Sequence, residues 1–267
     1  MKGVPRKALE ELLTATTRPQ NVNGKAIDQV ESCVLMSDGT ALRTLCIVKD
    51  GTTSLSKFSF ALESDQPFNI PVPDISRLLG VLKFHSDVVS LDLGDEKVVV
   101  RSKGKQTTLL GGFNAKSYAN SQSNLTEAQN RANERAESFN GDNYVLSDGS
   151  TRAPFASITL DCKELHEALR CDAINGQRLN RYTFESKHGE LLVTVGDPFK
   201  GETTTLLDDN IHADDFVATF EGGLENVLKH YSLDVKLHFY NFSPEGQGIR
   251  MMMEFNNGDW VFQCGVL

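Results

Sequence analysis

Residues 70–93 read IPVPDISRLLGVLKFHSDVVSLDL, a strand, a short amphipathic helix and a second strand. Pro73 and Asp74 stand where a helix begins. Ile75, Leu78, Leu79 and Leu82 recur at helical spacing, with Arg77 and Lys83 off that stripe. VVSLDL then alternates apolar and polar residues, as a half-buried strand does. The plan returns over 216–239, FVATFEGGLENVLKHYSLDVKLHF, where Val227-Leu228-Lys229 answers Val81-Leu82-Lys83. Recurrence of one supersecondary unit is a statement about architecture.

The rest of the pattern supplies two more copies. The spacing predicts a helix over 5–18, with Ala8, Leu9, Leu12 and Leu13 on one face and Lys7, Glu11, Thr14 and Arg18 on the other; Pro19 stops it. Strands follow over 32–36, 41–48 and 53–62, separated by Asp38-Gly39 and Asp50-Gly51, which are hairpin signals. After the helix at 74–83 come strands at 88–93, 97–103 and 106–113. The pattern restarts with a strand at 158–160 and a helix capped by Asp161, in which Leu165, Ala168 and Leu169 oppose Lys163, His166, Glu167 and Arg170. Strands at 181–186, 190–196, 201–207 and 216–220, a helix at 222–231, and strands at 234–242, 248–255 and 259–267 complete the chain. Both halves thus run helix, about three strands, helix, about three strands.

This predicts an α+β fold of two similar domains, each a duplicated helix-plus-strands unit. Domain limits of 1–113 and 155–267 fit the restart. Residues 114–154 are rich in Asn, Ser, Ala and Gln and poor in large apolar side chains, and read as an interdomain connector with a helical turn around 126–138.

Composition adds charge and compartment. The chain has 267 residues and a net charge of −9. Residues 1–111 carry a balance of +1 and residues 155–267 a balance of −9, so the acid belongs to the second half and leaves room for a local basic surface. Cys33, Cys46, Cys162, Cys171 and Cys264 are odd in number and scattered, as reduced thiols are. The first residues, MKGVPRKALEELL, lack the apolar run of a signal peptide, and no apolar stretch approaches a membrane span. A cytoplasmic protein is expected (host cytoplasm if viral), without membrane partners.

With the duplicated unit in hand, the chain resembles the DNA polymerase sliding clamps. It looks like the two-domain processivity factors of T-even-like phages and, more distantly, proliferating cell nuclear antigen. PDISRLLGVLKFHSD is the nearest local match, with its aspartate and its Leu-Gly-Val-Leu core. The resemblance implies a homotrimeric ring with antiparallel sheets outside and helices lining a hole for duplex DNA. Such a ring holds phosphates without reading sequence. Lys7, Arg18, Arg77, Lys83, Lys163, Arg170 and Lys229 are the candidate DNA-facing residues, drawn from all four helices; Glu10, Glu11, Glu164, Glu167 and Glu225 share those helices. The alternative for any one cation is an ordinary solvated helix face. The resemblance also implies subunit contacts between an edge strand with Thr107, Leu109 and Gly111 and one with Thr203, Thr205 and Leu207. It implies a partner-peptide pocket drawing on Met36, Leu42, Val266 and Leu267. The implied function is non-enzymatic: a processivity factor of DNA replication, viral or cellular, that tethers a polymerase after an ATP-dependent clamp loader opens the ring. No cofactor is implied.

Other chemistry is weighed against this. In Ser102-Lys-Gly-Lys-Gln-Thr107 a phosphate loop would need Gly where Val99 stands and Ser or Thr where Gln106 stands. Asp208, Asp209, His212, Asp214 and Asp215 are the residues a metal-dependent enzyme would use, against a solvated acidic loop. Cys162, His166 and Cys171 lack zinc-ligand spacing. Met251, Met252 and Met253 and Trp260 read as strand packing. A clamp-like acidic interaction module that forms no ring is the remaining alternative.

Overall fold

The computed structural model describes residues 3–17, 20–22, 25–27, 30–37, 41–48, 54–61, 68–72, 74–94, 97–110, 139–140, 142–146, 149–171, 181–197, 199, 201–221, 223–242 and 248–266. The chain divides into two compact units. The first comprises Met1–Thr17, Val30–Ile47 and Ser56–Asn133; the second comprises Arg18–Gln29, Val48–Leu55 and Glu134–Leu267.

The first unit opens with β1 (Val4–Pro5) and α1 (Arg6–Thr17). A hairpin of β2 (Gln20–Val22) and β3 (Lys25–Ile27), grouped with the second unit, follows in the chain. Then come β4 (Cys33–Ser37), β5 (Ala41–Val48), β6 (Ser54–Ala61), β7 (Phe68–Val72), α2 (Ile75–Leu82), β8 (Val88–Gly94), β9 (Lys97–Ser102) and β10 (Lys105–Leu110). The strands lie in the orders β1-β8-β9-β10 and β6-β5-β4-β7. Leu9, Leu12 and Leu13 of α1 and Ile75, Leu78 and Leu82 of α2 are buried, and the two helices pack together. Asp74 caps α2 by accepting the Arg77 N–H at 2.8 Å.

The second unit repeats the plan. After β11 (Phe139–Asn140), β12 (Asn143–Val145) and β13 (Thr151–Arg152) it runs β14 (Ala156–Asp161), α3 (Cys162–Arg170), β15 (Arg181–Lys187), β16 (Glu190–Asp197), β17 (Gly201–Asp208), β18 (Phe216–Glu221), α4 (Leu224–Leu228), β19 (Asp234–Asn241), β20 (Ile249–Phe255) and β21 (Trp260–Cys264). Its sheets contain β14-β19-β20-β21 and β17-β16-β15-β18. α3 packs on β14, β16 and β17, and against α4. Phe184, Phe220 and Phe239 meet at centroid distances of 5.8–6.3 Å beneath them.

The structure adds β1 before α1, so that every helix now follows a strand, as the patterns before 74–83, 161–170 and 222–231 predict. The repeating unit is β-α-β-β-β, and its first strand joins the sheet of the other copy. β1 pairs with β8 and β7 with β4; β14 pairs with β19 and β18 with β15. Each four-stranded set is therefore three strands of one repeat and one of its sister.

Two expectations are revised. The helix expected over 222–231 is α4, five residues long. Its N-cap is Gly223, which has no side chain to cap with, and His230 and Tyr231 donate to Val227 and Leu228, the i→i+3 bonding of a tight turn. The end of the stretch read as connector is ordered structure: β11, β12 and β13 form an antiparallel meander. Buried Tyr144 holds it down, stacked on Phe262 at 5.7 Å and edge-on to Phe242 at 5.2 Å. The helical turn expected at 126–138 lies outside the described residues.

Candidate nucleic-acid interface

The candidate cations stand where the apolar stripes put them. Lys7 on α1, Arg77 on α2 and Lys83 at its C-cap, Lys163 and Arg170 on α3, and Lys229 at the C-cap of α4 are all exposed. Arg18 lies outside the described residues. Lys83, Arg170 and Lys229 sit at helix C-termini, where cations complement the helix dipole.

The packing of α3 against α4 brings cations from two helices together. His166, half-buried on α3, has its pKa lowered first by burial and then by Arg170; Lys229 acts in the same direction and Glu167 opposes. One imidazole therefore feels a cation from each helix. Desolvation also lowers the Lys229 ammonium pKa, with Glu225 opposing.

The acidic residues on these helices are largely engaged. Glu225 is buried, accepting from the Tyr182 hydroxyl and the Asn226 amide. Glu10 pairs with Arg6 at 2.8 Å, and Glu167 approaches Arg170 at 3.5 Å. Glu11 and Glu164 remain exposed.

A further exposed cation stands off the helices. Lys105 donates to the Phe84 carbonyl at 2.8 Å and lies 5.6 Å from the ring centre of exposed Phe84, just beyond α2. The Ser102–Lys105 hairpin carries it there, with Gly104 at φ +72° in the turn. Its signal in the sequence is the Gly-Lys pair, and the element directly after that turn is the strand β10 rather than the helix a phosphate loop opens.

The expected contact strands are outer strands of their sheets. β10, with Thr107 and Leu109, ends one order, and β17, with Thr203, Thr205 and Leu207, ends the other. All five side chains are half-buried; Gly111 lies outside the described residues. Met36 is half-buried and Leu42 is buried, while Val266 donates its N–H to Thr219 at 2.7 Å. Leu267 lies outside the described residues.

The acidic stretch that a metal-dependent enzyme would use is spread along a loop whose carboxylates cap backbone N–H groups. Asp208 accepts from the Asn210 N–H and Asp215 from the His188 N–H, and residues 208–215 do not form a metal-holding group. Cys162 is buried in the α3 core, its thiol pushed up to about 12 by burial, and Cys171 donates to the Glu167 carbonyl.

The duplicated β-α-β-β-β unit has known counterparts. The chain superposes on the DNA polymerase III beta subunit of Thermotoga maritima over 99% of its length, with TM-score 0.61 and 12% identity. The fold is that of a DNA polymerase sliding clamp. The sliding clamp of Bacillus subtilis matches over 100% of the chain, with TM-score 0.61 and 14% identity. The DnaN sliding clamp of Pseudomonas aeruginosa, solved bound to griselimycin, matches over 99%, with TM-score 0.60 and 14% identity. The chain spans 64–65% of the length of these clamps. No family model and no curated protein matches it.

Proposed function

We propose that this chain is a DNA sliding clamp, a processivity factor that encircles duplex DNA and tethers a polymerase without chemistry of its own. The observation that carries this reading is the helix pair of each unit, which presents exposed cations off its buried stripe within a clamp fold. On this reading the helices line the hole, Lys7, Arg18, Arg77, Lys83, Lys163, Arg170 and Lys229 approach phosphates, and Lys105 joins them. Contacts to phosphate alone suit a ring that must slide, because they carry no sequence information.

The ring is a homotrimer of domains 1–113 and 155–267, closed by β10 of one subunit beside β17 of the next. The resemblance supplies that number: six such domains close the ring, two from each chain. An ATP-dependent loader opens the ring, and partner peptides dock near Met36, Leu42, Val266 and Leu267.

Retention on circular DNA tests the interface. Lys7→Ala, Arg77→Ala, Lys163→Ala and Lys229→Ala together should shorten retention, most steeply as salt rises, because each lost phosphate contact removes counterion release worth about 0.9 in the log–log salt slope. Circular dichroism should be unchanged. Wild-type retention from low to moderate salt would reject the assignment of the helices to the hole.

A further inference from the structure

On the face of the β14-β19-β20-β21 strands that carries the meander, three ligand-type side chains from three strands or turns converge. His238 of β19 is fully buried. Its Nε2 lies 3.4 Å from Glu254 Oε2 of β20 and 3.9 Å from Asp142 Oδ1, which sits in the turn before β12. Among the described residues this is the one group of three His, Cys, Asp or Glu side chains whose ligand atoms all fall within 4.8 Å of one another.

The distances are informative. A neutral N–H···O bond prefers about 2.9–3.0 Å, so 3.4 Å is long for one. Two ligands each about 2.05 Å from a tetrahedral zinc ion are separated by roughly 3.3 Å. The His238–Glu254 spacing already matches that edge, and exposed Asp142 needs a shift of about half an ångström to match it too. An ion there would have one imidazole and two carboxylates as ligands, with the exposed side of Asp142 open to water.

The surroundings are built to hold the three groups in place. His238 Nδ1 lies 2.9 Å from the Ser157 hydroxyl on the neighbouring strand. With Nδ1–H donating to that oxygen, the Nε2 lone pair faces the two carboxylates, the outer-shell arrangement usual for metal-binding histidines. Lys236 takes Asp142 Oδ2 at 3.0 Å and leaves Oδ1 towards His238. The Tyr240 hydroxyl donates to the Asp142 carbonyl at 2.8 Å and fixes the turn.

We propose that Asp142, His238 and Glu254 bind one divalent transition-metal cation of the zinc type, which staples the β11–β13 meander to β19 and β20. One imidazole with two carboxylates selects against calcium and magnesium, which take all-oxygen shells. The role is structural, and it stands independently of the DNA-binding reading.

The full chain, stripped with chelator and dialysed, is titrated with zinc chloride by calorimetry and with cobalt(II) by visible absorption. One zinc ion per chain should bind, cobalt should give the intense visible bands of a tetrahedral site, and the melting temperature should rise with zinc. Asp142→Asn and Glu254→Gln, both at positions open to solvent, should each weaken zinc at least ~10-fold. His238→Gln should abolish the cobalt spectrum, and Asp208→Asn should change nothing. The proposal is overturned if the wild-type chain takes up no zinc below about 100 μM. It is equally overturned if folded Asp142→Asn and Glu254→Gln bind zinc as the wild type does.

Discussion

Asp161 accepts the N–H groups of Lys163 and Glu164 at 2.8 and 2.9 Å, satisfying two donors that α3 leaves open. Asp161→Ala should therefore cost about 1 kcal/mol, read as a lower urea midpoint at unchanged slope. His85 offers a second test. It is buried, with Nδ1 2.8 Å from the Ser102 hydroxyl and Nε2 2.9 Å from that of Thr107. Burial, and then Lys105, lower its pKa. In the unfolded chain it takes up a proton near its ordinary value of 6.5, whereas the folded chain resists. Stability should fall as pH drops below about 6.5. His85→Gln should flatten that fall in urea titrations at pH 7.5 and 5.5; an equal fall in the variant would remove His85 as its source. The caps were legible because an Asp and its helix are adjacent in sequence. The partners of His85, His238 and Glu225 were not, because they arrive from distant strands.

At the scale of elements, alternation located most strands and the apolar stripes located the helices. What failed was short or lacked pattern. β1 is two residues, too few to show a period. The meander's anchor, Tyr144, is one aromatic in a polar stretch. α4 has a helical stripe but two glycines ahead of it. Positions along the helices gave the candidate cations, whereas Lys105 reaches the end of α2 through a hairpin that no helical pattern describes. The outer strand β10 carries the next prediction. Leu109→Pro removes a backbone donor and adds a ring to an edge that the proposed ring uses for subunit pairing. The variant should sediment as a smaller species than the wild type while keeping its circular dichroism. A folded variant that sediments as the wild type does would move the contact off β10.

For the whole molecule, a net charge of −9 and the proposed DNA contacts are compatible because the charge is unevenly placed. Acidic side chains cluster in loops such as 208–215, while exposed cations sit on helices whose own carboxylates are largely paired or buried. Light scattering should return a particle of three chain masses; a stable monomer would favour an interaction module that forms no ring. Deleting Val266 and Leu267 should leave that mass intact. Affinity for a polymerase tail peptide should fall by an order of magnitude or more, since an anchor residue contributes about 2 kcal/mol. Equal affinity of both forms would place the pocket elsewhere.

The exchange of first strands between sister repeats governs how the chain can be made. Val4 finds its partner in Val89, and Ala156 in Phe239. At a synthesis rate of roughly 5–20 residues per second, the first of these partners leaves the ribosome some 4–17 s after the strand that needs it. For that interval β1 has no sheet to join, and β6-β5-β4 waits for β7, which arrives only with the second repeat. Neither repeat is a stopping point on the way to the finished protein, and half a unit released early, by nicking or by a stalled ribosome, would be an unclosed sheet in search of an edge.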